Sequence, residues 1–263
     1  MRRKRFLVRV VASCLVAAGV AACEAAGRSP DSGPGTPLRD DLGRPVPTRP
    51  APARIVSLVP AVTEILYALD AGDRLVGRSV WDDQPPEVRA VPAVGDGLRA
   101  DLERVLERRP DLVILHAGPD DRRTAERLQA LGVPSFAVRL NGLEDLYRTA
   151  ARLGRLLDRT CEAARLEEDL RSALERVRRA AADRRPLRVY YDVAWPPAIT
   201  VGGGSYLDEL LRAAGARNVF GDVPQPSPRV ALEALVARDP DVILLPVSEA
   251  EPAPVPPARR PGW

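Results

Sequence analysis

Leu102-Glu103-Arg104-Val105-Leu106-Glu107-Arg108-Arg109-Pro110-Asp111-Leu112-Val113-Ile114-Leu115 recurs far along the chain as Leu232-Glu233-Ala234-Leu235-Val236-Ala237-Arg238-Asp239-Pro240-Asp241-Val242-Ile243-Leu244-Leu245, with six of 14 positions identical. Self-similarity of this kind marks a duplicated supersecondary unit. Each copy opens with apolar residues at helical spacing, meets a Pro-Asp pair, and closes on an unbroken apolar run. Proline disfavours helix in the residue before it. A continuous apolar run suits a parallel strand covered on both faces. The unit is therefore a short amphipathic helix, a turn and a buried strand, present twice.

The segments upstream of the two copies also match in kind. Arg54-Ile55-Val56-Ser57-Leu58 reads as a strand, followed by Pro60 and a helix from about Thr63 to Leu69. Leu187-Arg188-Val189-Tyr190-Tyr191 reads as a strand, followed by a loop, Gly202-Gly203-Gly204-Ser205, and a helix from about Leu207 to Ala214. Strands alternating with helices predict α/β lobes with parallel sheets. The reading is two such lobes, residues 54–140 and 187–263, joined by a long helical segment, 141–186. Within that segment Leu143, Leu146, Tyr147, Ala150, Leu153 and Leu157 share one face, Asp158-Arg159-Thr160 breaks and recaps the helix, and Leu166, Leu170, Leu174 and Val177 continue it.

Residues 1–22 predict an export signal: Arg2, Arg3, Lys4 and Arg5, an apolar stretch from Phe6 to Ala22, and the small-residue exit Val20-Ala21-Ala22-Cys23. That stretch is too short and too interrupted for a membrane span, which takes roughly 20 apolar residues. Residues 23–53 read as a tether, rich in turn and coil residues such as Ser29-Pro30-Asp31-Ser32-Gly33-Pro34-Gly35, with Asp40-Asp41-Leu42-Gly43-Arg44 as the turn of a small hairpin. With the leader removed and Cys23 modified, Cys161 is left as a lone thiol, expected to pack as a small side chain within a helix.

Charge and composition exclude several classes. The formal net charge of +3 becomes −2 without the five cations of the leader, and Lys4 is the only lysine. A near-neutral body lacks the clustered positive charge that nucleic-acid binding requires. The single histidine, His116, rules out a metal site built from several imidazoles. Gly95-Asp96-Gly97-Leu98-Arg99-Ala100 fits a dinucleotide fingerprint loosely, but no strand precedes it and no βαβ unit frames it. No P-loop or nucleophile-elbow motif is present. An exported α/β enzyme is therefore the remote alternative to a binding protein.

The residues carry a family resemblance. The chain resembles the substrate-binding proteins of bacterial ABC importers whose lobes are joined by a single backbone helix, and within them the cobalamin and iron-siderophore receptors. The resemblance lies in Arg54-Ile55-Val56-Ser57-Leu58-Val59-Pro60-Ala61-Val62-Thr63-Glu64, in Val76-Gly77 through Trp81-Asp82-Asp83-Gln84-Pro85-Pro86, in both repeats, in Leu131-Gly132-Val133-Pro134 and in Gly202-Gly203-Gly204-Ser205-Tyr206-Leu207-Asp208-Glu209-Leu210. Val-Ala-Ala-Cys likewise resembles the bacterial lipobox, which implies a lipid on Cys23 and attachment at the cell envelope. Two features depart from the family. Ser227 stands where cobalamin receptors carry a cleft tryptophan, and the chain ends at Trp263, soon after the second repeat, so the second lobe is expected to be incomplete.

The resemblance implies monomeric, non-enzymatic capture of a ligand between the lobes, at the carboxyl ends of the strands, and delivery to a membrane permease. It needs no cofactor. The ligand it implies is a corrinoid, with haem or a ferric siderophore as the alternative. Val59, Pro60 and Trp81 then line the first lobe, Trp81 offering a broad rigid face to a flat macrocycle. His116 follows the first repeat's strand. Tyr191 and Trp195 end the first strand of the second lobe. For haem, His116, Tyr190 or Tyr191 is the candidate axial ligand. Gly202-Gly203-Gly204-Ser205 is either a loop presenting N–H groups to the ligand or a plain turn. Glu103 and Glu233, equivalent in the repeat, match the glutamates that meet permease arginines. Such carboxylates steer and register docking, and the same positions also favour glutamate through the helix dipole.

Overall fold

The computed structural model describes residues 38–47, 50–96 and 100–246. The leader, Cys23, most of the tether and the Pro-rich end of the chain lie outside the described residues. The first sheet consists of β1 (Ile55–Ser57), β2 (Leu75–Gly77), β3 (Leu112–His116) and β4 (Ser135–Val138), in the order β2-β1-β3-β4, with every pairing parallel. Ile55, Leu112, Ile114, Phe136 and Val138 enter one core with Val62, Ile65 and Leu66 of α1 (Pro60–Ala68). Val56, Val113, Leu115 and Ala137 enter the opposite core with Val105 of α2 (Leu102–Glu107) and with Ala125 and Leu128 of α3 (Pro119–Ala130). Alternate side chains of β3 thus serve two cores, which is why the run is apolar at every position.

α4 (Leu143–Leu157) buries Ala150, Leu153, Leu156 and Leu157 in the core of the first sheet. Each such leucine contributes about 2 kcal/mol of burial. The helix therefore belongs to the first lobe rather than to a bridge, and the bridging role falls to α5 (Thr160–Ala181), which contacts α1 and α4 on one side and α6 (Tyr206–Ala213) on the other. The break between α4 and α5 is the expected one: Asp158 adopts a left-handed conformation, φ 58°. Cys161 corrects its sequence reading. It is exposed on the first turn of α5 and is disulfide-bonded, and the other two cysteines lie outside the described residues.

The second sheet is built around β5 (Arg188–Ala194), parallel to β7 (Arg217–Asn218) and to β8 (Val242–Leu244) and antiparallel to β6 (Ile199–Thr200). The antiparallel strand departs from the expected all-parallel lobe. Only residues 195–198 separate β5 from β6, and so short a connection can only fold a strand back on its neighbour. Tyr190, Phe220 and Leu235, the last from α7 (Leu232–Arg238), form the small apolar core, with the Tyr190 and Phe220 rings edge-on at 6.1 Å. Beneath them Asp208 is buried, accepting from Asn218 Nδ2 at 3.0 Å and pairing with Arg212 at 2.5 Å.

The repeat includes a long-range clamp. In the first lobe Asp111 accepts the N–H groups of Ala53 (2.8 Å) and Arg54 (2.9 Å), while the Arg54 guanidinium donates to the carbonyls of Arg108 and Arg109 at the end of α2. In the second lobe Asp241 accepts the Arg188 N–H at 2.8 Å, and Arg188 donates to the Arg238 carbonyl at the end of α7. The aspartate of each Pro-Asp turn thus pins the start of the lobe's first strand, and the arginine there satisfies carbonyls that a helix C-terminus leaves open.

Residues 38–47 are packed, not tethered. Arg39 and Pro45 bridge across the expected hairpin, whose turn uses Gly43 at φ +81°. Leu38 and Val46 enter the first core. Asp41 donates its N–H to Ala137 of β4 and accepts from the Arg139 N–H and from Arg152 of α4, both at 2.7 Å. The hairpin therefore covers the outer edge of β4.

Candidate ligand-binding site

The parallel strands set which residues share an edge. β1 leads into Ser57–Pro60, β2 into the loop carrying Trp81, and β3 ends on His116. Val59, Pro60, Trp81 and His116 therefore stand at the carboxyl edge of the first sheet. Tyr191 pairs with Leu244 at the end of β8, and Trp195 follows β5, so both stand at the carboxyl edge of the second. Two hydrogen bonds join these edges directly: the Tyr206 N–H donates to the Asn141 carbonyl at 2.5 Å, and the Leu143 N–H donates to Glu209 Oε2 at 2.9 Å. Asn141 lies in the loop after β4, and Tyr206 begins α6. Carboxyl edges joined in this way are where open α/β sheets place their ligands.

The residues differ in what they present. Val59 is buried at the N-cap of α1, where its carbonyl accepts from Ser57 Oγ at 3.2 Å, so it shapes the edge through its backbone; Pro60 is the first residue of the helix. Trp81 is 59% exposed. Glu64, Asp82 and Asp83 surround this end of the lobe: partial burial first, then the charges of Asp83 and Asp82, hold the Glu64 carboxyl above its ordinary range. His116 is half-buried; burial lowers its pKa, against the opposing pull of Asp121, which favours the uncharged imidazole. Burial first, and then the neighbouring Tyr206, push the Tyr191 hydroxyl up. Tyr206 was not singled out from the sequence. Its position directly after Gly-Gly-Gly-Ser at a helix start is the signal that points to it.

One sequence reading is corrected, and one left open is decided. Tyr190 is fully buried with its hydroxyl 3.4 Å from Asp192, so it cannot reach a ligand; the Tyr-Tyr pair straddles the sheet and only Tyr191 faces the edge. The glycine loop is the turn of the two alternatives, and its first two N–H groups are already taken. The Gly202 N–H donates to the Pro226 carbonyl at 3.0 Å and the Gly203 N–H to that of Val223 at 2.7 Å, and Ser205 caps α6 by accepting from the Asp208 N–H. The glycines are there because another loop runs against them.

Glu103 and Glu233 are each exposed in the first turn of their helix. Because α2 and α7 end at the strand-start clamps, their N-termini point toward the carboxyl edges of their lobes. A concavity of about 470 Å³ lined by Asp208, Arg212, Arg217 and Arg238 lies at the amino edge of the second sheet, where Arg212 and Arg238 are already paired with Asp208 and Asp222. It is not a candidate for the site. Among the described residues no group of acidic, histidine or cysteine side chains could hold a metal ion, and no helix is long and apolar enough to cross a membrane.

Residues 55–252 match the family model described as periplasmic binding protein. The chain belongs to that family. It is 30% identical over 190 residues to the vitamin B12-binding protein of Vibrio parahaemolyticus, a match covering 72% of this chain and 69% of that one. Among solved structures, the periplasmic vitamin B12-binding protein BtuF of Vibrio cholerae superposes with a TM-score of 0.65 at 28% identity, over 74% of this chain and 76% of that one. The periplasmic heme-binding protein RhuT of Roseiflexus superposes with a TM-score of 0.66 at 26% identity, over 73% and 75%. The two-lobed α/β architecture of this family is the fold described above.

Proposed function

We propose that this chain is the extracytoplasmic receptor of an ABC importer, capturing a corrinoid between its lobes and handing it to a membrane permease. The observation that carries the reading is the exposed Trp81 indole at the carboxyl edge of the first lobe. Exposed large apolar side chains occur elsewhere on the chain; what singles out Trp81 is its place after a strand at the carboxyl edge, where open α/β sheets put their ligands, and a corrin ring presents a flat apolar face to match the indole. The relatives named for vitamin B12 support that choice. In this reading binding is reversible and without chemistry, which the family description of a binding protein supports. Glu103 and Glu233 dock the receptor on the permease, one carboxylate for each lobe.

A second reading, haem, has its own observation. His116 and Tyr191 lie at facing carboxyl edges, and either side chain is an iron ligand. The lipid on Cys23 anchors the receptor, as a monomer, at the outer face of a membrane. A lipidated Cys23 sulfur has no valence left for a disulfide to Cys161, so the mass of the mature chain reports which modification Cys23 carries. Titration with cyanocobalamin, cobinamide, hemin and a ferric siderophore, followed by tryptophan fluorescence and by the ligand's absorption spectrum, tests the function. Saturable quenching by the corrinoids is expected. Saturation by hemin alone with a Soret shift selects the second reading, and silence toward all four, or turnover of any, overturns both.

A further inference from the structure

We infer that Ser79 and Asp82 are positioning residues for Trp81, holding the turn that presents the indole before any ligand arrives. The inference rests on the reading of Trp81 as the ligand platform and adds the machinery beneath it. Trp81 is 59% exposed, yet the residues two before and one after it are 0% and 3% exposed and polar. The Ser79 N–H and Oγ–H both donate to Asp82 Oδ2, at 2.8 and 2.5 Å. A serine hydroxyl has one proton and two lone pairs. With its proton committed to the carboxylate, its oxygen accepts the Trp81 N–H at 3.2 Å. Arg78 locks the other side of the turn, its guanidinium donating to the carbonyls of Ser79 (2.8 Å), Asp82 (3.2 Å) and Val91 (2.9 Å). The backbone on either side is tied down as well: Arg78 N–H to Pro92 and Val80 N–H to Gly95.

A buried carboxylate is costly unless it is hydrogen-bonded; here Oδ2 takes both Ser79 donors, while Oδ1 is buried without a partner. What the arrangement supplies is a fixed base for an exposed ring. Fixing a binding group in advance raises affinity by removing the ordering cost from the binding step. Asp82 acts through Ser79, and Ser79 acts on the Trp81 backbone; neither needs to touch the ligand.

The test uses the full chain labelled with 5-fluorotryptophan, the Trp81 signal being assigned by Trp81→Phe. In the free protein the Trp81 ¹⁹F line is expected to be broad and shifted, as for an ordered ring. A line as narrow and as solvent-like as in the urea-unfolded chain overturns the proposal, whatever the variants do. Ser79→Ala is expected to narrow that line and to weaken cyanocobalamin or hemin, whichever the wild type binds, by roughly tenfold, through a lost hydrogen bond and a released side chain. Ser79→Thr, which keeps the oxygen, is expected to restore both. If Ser79→Ala does not fold, Asp82→Asn serves, since it keeps the shape and weakens only the charge-assisted bonds; it is expected to narrow the line part of the way. Wild-type affinity in Ser79→Ala alongside weakened binding in Trp81→Ala overturns the positioning role alone. Wild-type affinity in Trp81→Ala overturns the platform reading and this inference with it.

Discussion

Replacing Gly202 by alanine places a methyl group 1.9 Å from the Gln225 carbonyl oxygen and 2.7 Å from that of Val223. Ordinary contact begins near 3.4 Å, so one of the two loops has to retreat. The retreat breaks what holds the loops together, the Gly202 N–H to Pro226 bond at 3.0 Å and the Gly203 N–H to Val223 bond at 2.7 Å. Overpacking costs about 1–3 kcal/mol, and each of the two lost hydrogen bonds about 1 kcal/mol, so about 3–5 kcal/mol is expected in all. In a domain of this size each kcal/mol moves Tm by about 2–4 °C, which gives a fall of about 6–20 °C. Gly132→Ala is the control: nothing lies within 4 Å of its built Cβ, and its cost is conformational only, from φ +75°. That left-handed penalty is about 1–2 kcal/mol, or about 2–8 °C. Thermal unfolding of both variants, each as the full chain, decides between them. A Gly202→Ala chain that melts no lower than Gly132→Ala refutes the close-approach argument.

Three further outcomes follow from the same structure. The lowered pKa of His116 means that as pH falls below 6.5 the unfolded chain takes up a proton that the folded chain refuses; Tm is therefore expected to fall from pH 6.5 down to the folded value and to level off below it, and His116→Gln to flatten that stretch of the curve. Parallel curves for the two proteins would show that another group sets the slope. Glu209→Ala removes the carboxylate that accepts the Leu143 N–H at the start of α4; a loss of about 1 kcal/mol is expected in denaturant unfolding, with a wider distance distribution between spin labels placed on the two lobes. The double reversal Glu103→Arg and Glu233→Arg, both at exposed helix starts, is expected to leave ligand affinity within about twofold while abolishing uptake into cells, because exposed charges register docking more than they hold the cargo. Uptake that survives the reversal removes both residues from the docking role.

The alternation of helix and strand could be read from the chain because its signals are local. Pro110 and Pro240 each follow a short helical pattern and disfavour helix in the residue before them, and the apolar run Leu112–Leu115 has to be covered on both faces. What escaped the reading depends on contacts far apart in sequence. Nothing near Arg54 or Arg188 announces that the aspartate of a distant Pro-Asp turn will grip its N–H. Leu38 and Val46 sit among turn residues and look like tether until β4 offers an edge to cover. Leu153 and Leu157 read equally well as one stripe of a bridge or as part of a lobe, and only the position of the first sheet decides. The candidate site was legible where a large side chain follows a strand, as at Trp81. It was not legible where adjacent residues point to opposite faces, as at Tyr190 and Tyr191, or where a glycine run answers to a loop well downstream, as Gly202 answers to Gln225.

The bonds from Tyr206 to Asn141 and from Leu143 to Glu209 tie the second lobe to the first beside the very edges that would hold a ligand. Lobes riveted so near the aperture have little room to swing. Such a receptor gauges its cargo as a fixed caliper does, by whether the molecule fits the gap. Its outline then barely changes on loading, so the machinery downstream has to recognise occupancy from the cargo at the opening rather than from a change in the receptor's shape.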